Sequence, residues 1–323
     1  MNLADHTTLG LGGPARAWAT AATEDELIEA VQKAERDGPV LILGGGSNLV
    51  VADEGFPGTV VQVTTSGLAV DGDTVTVAAG ENWDSVVRRT LAAGLPGLEC
   101  LSGIPGLAGA TPIQNVGAYG SEVSDTIRGV RVFDRQTLKT SFFPNDTCGF
   151  AYRSSMFRGD DRYLILDVTF GLGAPAPVRY TELAAAAGQN PSPAEVRNAV
   201  LALRRRKGMV IDPADPDTRS AGSFFTNPVV PADRVPDGAP RYETSPGLVK
   251  VPAAWLIEQA GFAKGYHGPG GARISAKHTL ALVNDGTATT ADLLALAREI
   301  RDGVHATFAI TLHPEPLLIG ATL

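Results

Sequence analysis

Between Val40 and Val51 the chain reads VLILGGGSNLVV, and few folds can absorb such a run. Four apolar residues of high β propensity lead into Gly44, Gly45 and Gly46, and Ser47 and Asn48 precede a second apolar stretch. That order reads as a buried strand ending in a loop of bare backbone. Glycines take positive φ at little cost and carry no Cβ, so their N–H groups can converge on an anion such as a pyrophosphate. A tight turn between two strands is the plainer reading of the same letters. Two familiar phosphate motifs do not fit. Leu49 stands where a dinucleotide fingerprint needs its third glycine, and no Gly-Lys-Ser/Thr occurs anywhere.

The chain has 323 residues, 44% of them hydrophobic, enough for two domains each with its own core. A formal net charge of −8 argues against nucleic acid or an anionic membrane as partner. No apolar run approaches the length of a membrane span, and the opening MNLADHTTLG has neither a basic nor an apolar signal region. A soluble, cytoplasmic protein is therefore expected. Cys100 and Cys148 are too few for a disulfide framework, and the five histidines form no ligand-spaced cluster, so no metal is expected.

Thr23 and Glu26 have capping-box spacing ahead of a helical stripe at Leu27, Val31 and Ala34 that stops at Gly38. Strands follow at Val60–Val63, Leu68–Val70 and Thr74–Ala78, the last two joined as a hairpin across Asp71-Gly72. A helix runs from Trp83 to Ala93 and ends at Gly94. Residues Leu101 to Glu122, LSGIPGLAGATPIQNVGAYGSE, have no sustained period and carry one charge. A loop this long and this apolar should pack against something, and a flat ring system is a good candidate. Strands are expected at Arg128–Asp134, Thr140–Phe143 and Tyr163–Leu172, then a stiff linker at Gly173–Pro177, GAPAP. Ser192, Pro193 and Glu195 start a helix whose buried face is Val196, Val200 and Leu203, ending in Arg204, Arg205, Arg206 and Lys207. Further on, helices are expected after Pro252 and through Leu293, Leu296, Ile300 and Val304, a strand at Thr279–Val283, and a last strand at Phe308–Leu312.

Three residues stand where chemistry is conceivable. Ser223 in AGSFFTNP could be a nucleophile, a proton donor or a turn residue, although the Gly-x-Ser-x-Gly elbow of a hydrolase is absent. Arg153 in FAYRSSMF lies among aromatics and Met156, where an arginine is rarely left unpaired; it is a structural ion pair or an anion clamp. Glu315 sits between two prolines, which could aim a carboxylate into a cleft or mark a solvated turn.

Taken together, LGGGSN, SGIPGLAGATPIQNVGAYG, FAYRSSMF, AGSFFTNPVV and HPEPLLIG resemble, in order and along almost the whole chain, the MurB family of UDP-N-acetylenolpyruvoylglucosamine reductases. The resemblance implies an α+β fold: an FAD-binding region of the vanillyl-alcohol-oxidase (PCMH) type in two subdomains, and a smaller α+β substrate-binding domain. It divides the chain into an FAD-binding region at 1–175, to which 313–323 returns, a connecting helical segment at 176–206, and a substrate domain at 207–312. It further implies tightly bound FAD, NADPH as hydride donor, UDP-N-acetylglucosamine enolpyruvate as substrate, and a monomer.

Carried over by motif, Gly44, Gly45, Gly46, Ser47 and Asn48 would cradle the FAD pyrophosphate, and Ser102, Ile104, Gly109, Ala110, Gln114, Asn115 and Gly117 would wrap the cofactor. Ser223 matches the family's proton donor, and Arg153 and Glu315 its other catalytic positions. Tyr180, Lys207, Asn227 and Tyr242 fall near positions that hold the nucleotide sugar, although the segment from Lys207 to Pro213 is longer than the family's KLPDP. The implied chemistry is hydride transfer from flavin N5 to the enolpyruvyl methylene, with Arg153 stabilising the enolate-like charge and Ser223 protonating the adjacent carbon. The alternatives are another FAD-linked oxidoreductase of the same fold, such as an oxidase, and a non-catalytic nucleotide-sugar-binding protein.

Overall fold

Thr23 accepts the Glu26 N–H at 3.2 Å, and Glu26 returns a carboxylate oxygen to the Thr23 N–H at 3.2 Å, closing the first turn of helix α1 (Glu24–Asp37). This is the capping box that the spacing predicts. The computed structural model describes residues 1–323, and α1 lies in the larger of two units, Arg16–Gly45 with Pro57–Val210. Leu27, Val31 and Ala34 of α1 are buried in one core cluster with Val61 and Val63. Those valines belong to the central strand of a three-stranded sheet, Ala15–Ala21, Phe56–Val63 and Val40–Leu43, whose last two strands run parallel with Val40 opposite Thr59. The first of these strands was not expected from sequence, because its burial does not alternate.

The rest of that unit is built on five antiparallel strands in the order Lys139–Pro144, Ile127–Asp134, Tyr163–Gly171, Thr74–Ala78, Leu68–Asp71. Helix α2 (Trp83–Ala92) is capped by Asn82, whose Oδ1 accepts the Ser85 N–H at 3.0 Å, and it buries Trp83 5.9 Å from the Phe170 ring. The Arg131 guanidinium ties the five-stranded sheet to α1: its Nε donates to Asp167 at 2.6 Å, and its Nη1 donates to Glu24, in the first turn of α1, at 2.8 Å. Helices α3 (Thr181–Ala187) and α4 (Pro193–Arg206) complete the unit around Leu183, Val196, Val200 and Leu203. The Gly173–Pro177 stretch is not a boundary. The buried Glu99 carboxylate accepts the N–H groups of Gly97 at 2.7 Å and Ala176 at 2.6 Å, and so fixes the stretch to the strand–helix core.

The smaller unit comprises Met1–Ala15, Gly46–Phe56 and Ile211–Leu323. Helices α5 (Ala253–Gln259) and α6 (Thr290–Phe308) share a core with the sheet Ser220–Ser223, Ala281–Asn284, Ala272–Ile274, and a second sheet pairs Val229–Pro231 and Tyr242–Ser245 with Leu248–Lys250. The unit recruits two early segments through polar contacts. Asn284 Nδ2 donates to the Leu9 carbonyl at 3.0 Å, and the Asp53 carboxylate accepts the Thr290 and Ala291 N–H groups at 2.8 and 2.9 Å, at the start of α6. Leu317–Ile319 pairs in parallel with Leu49–Val51. Residues 1–15, 46–56 and 313–323 therefore pack in one compact unit with the C-terminal half, a different partition from the division at 175 and 206. The strand expected at Phe308–Leu312 is also absent. Phe308 stays helical, its ring 5.8 Å from Trp255, and Ala309 turns left-handed at φ 54° before Ile310 and Leu312 enter the core as irregular chain. No helix is long and apolar enough to cross a membrane.

Candidate active site

The glycine loop lies where strand Val40–Leu43 ends and strand Leu49–Val51 has not begun. Gly44 and Gly45 belong to the larger unit and Gly46, Ser47 and Asn48 to the smaller. Gly45 keeps its backbone exposed, yet a Cβ there would lie 2.8 Å from Gly106 Cα. Gly46 has φ +60°, and a Cβ would lie 1.9 Å from the His6 carbonyl oxygen. At neither position can a side chain be added without displacing backbone, for reasons of space at one and of space and conformation at the other. At Gly45 and Gly46 the backbone is thus bare for steric reasons, which fits a cofactor carrying a pyrophosphate.

The second glycine-rich stretch is laid along residues 79–84 of the same unit. Gly109 N–H donates to Ala79 O at 2.9 Å, Ala108 N–H to Glu81 O at 2.8 Å, and Trp83 N–H to Gly106 O at 3.1 Å. A Cβ on Gly109 would lie 2.5 Å from Ala79 Cβ, so only glycine allows this approach. Ile104 and Gln114 are half-buried and Ala110 is exposed. Two other candidates are engaged internally. Ser102 is fully buried and its hydroxyl donates to Glu99 O at 2.6 Å. Asn115, 1% exposed and left-handed at φ 46°, donates to Glu122 and to Ala151 O at 2.8 and 3.2 Å and accepts the Ser124 N–H at 3.1 Å. Their side chains hold the loop in shape, and their N–H groups are engaged as well, with Glu99 O and Pro112 O, each at 3.3 Å.

Through Asn115 the loop reaches the segment Ala151–Ser154, a tight turn bridged between its end residues. The turn puts Arg153 at φ 52°, and its Nη2 donates to Gly117 O at 2.7 Å while its guanidinium lies 5.2 Å from the Tyr152 ring centroid. A candidate catalytic cation and a candidate cofactor residue are therefore in direct contact.

The smaller unit brings the other two catalytic candidates together. Strand Ser220–Ser223 pairs with Ala281–Asn284, and a register shift between Ser220 and Ser223 accompanies Gly222 at φ +73°. Beyond Ser223, residues 224–226 run antiparallel to 313–315: Thr226 N–H donates to His313 O at 3.1 Å, Phe225 bridges Pro314, and Glu315 N–H donates to Phe224 O at 2.9 Å. Phe224 and Phe225 are 1% exposed and lock this pairing into the core, while Ser223 and Glu315 stay half-buried.

The nucleotide-sugar candidates divide between the units. In the larger, Tyr180 stands edge-on to Tyr119 at 5.7 Å, Lys207 Nζ lies 5.8 Å from the Tyr119 centroid, and Lys207 pairs with Glu182 at 2.5 Å. Tyr119 was not singled out from sequence. Burial pushes its phenol up to about 12, and its φ of 52° makes it, with Asn115, a left-handed position inside QNVGAYG. In the smaller unit, Asn227 Oδ1 accepts the Ala253 N–H at 2.9 Å and so caps α5, while Tyr242 projects from its strand, 57% exposed.

Comparison with known proteins places these features in one family. A family model described as FAD binding domain matches residues 15–137, and one described as UDP-N-acetylenolpyruvoylglucosamine reductase, C-terminal domain, matches residues 213–319. The UDP-N-acetylenolpyruvoylglucosamine reductase of Thermobifida fusca is 56% identical over 99% of this chain and 97% of its own length. That of Saccharopolyspora erythraea is 54% identical over 99% of this chain and 95% of its own. The crystal structure of UDP-N-acetylenolpyruvylglucosamine reductase (MurB) from Thermus caldophilus superimposes with a TM-score of 0.71 at 29% identity, covering 99% of this chain and 97% of that one. With an FAD-binding domain, a matching C-terminal domain and similarity from end to end, the chain belongs to the UDP-N-acetylenolpyruvoylglucosamine reductase (MurB) family of FAD-dependent oxidoreductases.

Proposed function

We propose that this protein reduces UDP-N-acetylglucosamine enolpyruvate to UDP-N-acetylmuramate, a step of peptidoglycan synthesis, with NADPH as electron source and FAD as carrier. The observation that supports the reading is the pairing of 224–226 with 313–315, which brings the Glu315 backbone against that of Phe224, the residue after Ser223, within the segment that the family model matches. FAD held by Gly44–Asn48 and the 102–117 loop would supply a hydride for the enolpyruvyl methylene.

The remaining work falls to side chains. Hydride addition to the methylene makes a methyl group and leaves an electron pair on the neighbouring carbon, delocalised into the substrate carboxylate. In this reading Arg153 stabilises that charge with a fixed cation and N–H donors, oriented in advance by its bond to Gly117 O. Ser223 delivers the proton to the carbon, forming the C–H bond of the lactyl ether, and recovers it from water. A hydroxyl is a weak acid, but the carbanion-like centre is a strong base, so position governs the rate more than acidity. Glu315 beside the substrate carboxylate would be like-charged, so either it is protonated there or Arg153 compensates both. Tyr180, Lys207, Asn227 and Tyr242 would hold the nucleotide sugar, Tyr180 and Lys207 around the Tyr119 ring. The same reading makes the protein a cytoplasmic monomer without membrane or nucleic-acid partners.

The test is the visible spectrum of the purified protein, followed without oxygen. Bleaching of an FAD spectrum by NADPH and its return on adding UDP-N-acetylglucosamine enolpyruvate is the expected result. Recovery with oxygen alone would replace the reductase reading by an oxidase.

A further inference from the structure

At its first turn the loop that begins at Ser102 is anchored on a carboxylate, Asp84, at the end of the segment along which the loop is laid. Gly103 N–H donates to Asp84 Oδ1 at 2.7 Å. The same carboxylate receives both terminal nitrogens of Arg197, Nη1 on Oδ1 and Nη2 on Oδ2, each at 2.7 Å. This is a two-pronged, charge-assisted contact between α2 and α4, residues 113 apart in sequence. The Arg197 side chain is only 12% exposed. Burial opposes ionisation of Asp84, but the bonds from Arg197 and Gly103 outweigh it and hold the carboxyl below its ordinary value.

Gly103 itself is closed in from the same helix. At φ +70° it is left-handed, and a Cβ would lie 2.8 Å from Leu201 Cδ2 and 3.1 Å from Val210 Cγ2. Leu201 lies one turn beyond Arg197 on α4, so a single stretch of that helix both covers Gly103 and fixes the acceptor of its N–H. The neighbouring loop bonds are neutral: Trp83 Nε1–H donates to Leu101 O at 3.0 Å, and Trp83 N–H to Gly106 O at 3.1 Å. Next to Gly103 comes Ile104, and Gly106 is the residue whose Cα meets Gly45. The orientation of the Gly103 peptide is therefore passed along the chain to the backbone that abuts the glycine loop.

We propose that Asp84 and Arg197 are positioning residues for the flavin, holding the Gly103 peptide so that the loop from Ser102 onwards is shaped for FAD before the cofactor arrives. The inference rests on the reading of residues 102–117 as the FAD wrap. Neither residue touches the cofactor in this account; Arg197 acts on Asp84 and Asp84 on the loop.

The experiment measures the FAD dissociation constant of reconstituted protein by flavin fluorescence, with visible circular dichroism of the bound flavin as a signature of its seat. Apo-protein melting serves as the folding control. Asp84→Ala should weaken FAD binding by about 10- to 100-fold, the scale on which outer partners orient a binding group. Asp84→Asn keeps an oxygen for Gly103 N–H and should lose less, and Arg197→Lys, which keeps charge without the fork, should fall between Asp84→Ala and the parent. FAD affinity of Asp84→Ala within about twofold of the parent overturns the proposal, a margin smaller than any lost charged hydrogen bond would leave. So does an Asp84→Asn variant as weak as Asp84→Ala. If Asp84→Ala does not fold, an Arg197→Lys protein with unchanged affinity and unchanged flavin dichroism overturns it equally. A parent protein that takes up no FAD would instead refute the reading of the loop on which the proposal rests.

Discussion

Glu315 is hydrogen-bonded through its backbone N–H to the carbonyl of Phe224, at 2.9 Å, the residue directly after Ser223. Two residues 92 positions apart in sequence thereby occupy neighbouring places in one small antiparallel pairing. Each then has a half-buried side chain next to a residue that is fixed in the core.

If Ser223 delivers the proton, Ser223→Ala should leave reduction of the flavin by NADPH within a few fold of the parent while reoxidation by the enolpyruvyl substrate slows by about a hundredfold to ten-thousandfold. Stopped-flow measurement of the two half-reactions separates them. Equal loss of both would remove the serine from its proposed role.

Gly45→Ala should express as a folded protein with strongly weakened FAD binding, because the added Cβ meets the Gly106 backbone at 2.8 Å and neither main chain can yield without reshaping the cradle. Flavin content after purification reports this directly. A variant that retains its full complement of FAD would show that the approach of Gly106 to Gly45 is not needed for the cofactor.

The Glu24–Arg131–Asp167 group gives a pH dependence of stability whose sign can be stated. The hydrogen bond from Arg131 lowers the Glu24 carboxyl from its ordinary value of 4.5, whereas burial raises that of Asp167 despite the same partner. A depressed carboxyl stabilises the fold fully above its unfolded value and loses that contribution as pH falls through the folded one. Glu24 therefore contributes at neutral pH and ceases to do so in acid, below about 4.5. Asp167 has the opposite sign, favouring the fold when protonated. Thermal melting of Glu24→Gln should be lower than the parent at pH 7, with the gap narrowing towards pH 3; a constant gap would mean that the bond to Arg131 does not carry the shift.

Both thiols should be silent in the native state. Cys100 and Cys148 are fully buried, and burial raises the Cys100 thiol above its ordinary value and pushes that of Cys148 up to about 11. A disulfide-exchange dye should therefore titrate no thiol in the folded protein and both on unfolding. Rapid labelling of either one without denaturant would contradict the packing.

Much of the local structure was legible because its causes are local. Thr23 with Glu26 and Ser192 with Glu195 fix the starts of α1 and α4 within one turn, and Asp71-Gly72 places a hairpin. The division of the chain was not legible, because it is set by contacts such as Asn284 to Leu9 and Asp53 to α6, between segments more than 200 residues apart. Within the site, the glycines announced the close backbone approaches, since a Cβ on Gly45, Gly46 or Gly109 would lie under 3.0 Å from neighbouring atoms. Sequence could not distinguish Asn115 or Asn227, whose amides are engaged with the chain itself, from residues that face a ligand. Tyr119 went unnoticed because nothing in its neighbours reveals a left-handed aromatic between Tyr180 and Lys207.

The parallel pairing of Leu317–Ile319 with Leu49–Val51, sealed by Leu317 N–H donating to Asn48 O at 2.9 Å, also sets an order of events during synthesis. Strand Val40–Leu43 and α1 can assemble as soon as they leave the ribosome. The Asn48 carbonyl meets the Leu317 N–H only after the 268 residues between them have been made. In a nascent chain the glycines would therefore long precede the strand that pins the far side of their loop, and if Gly44–Asn48 cradle the cofactor as proposed, its capture would come late in biogenesis.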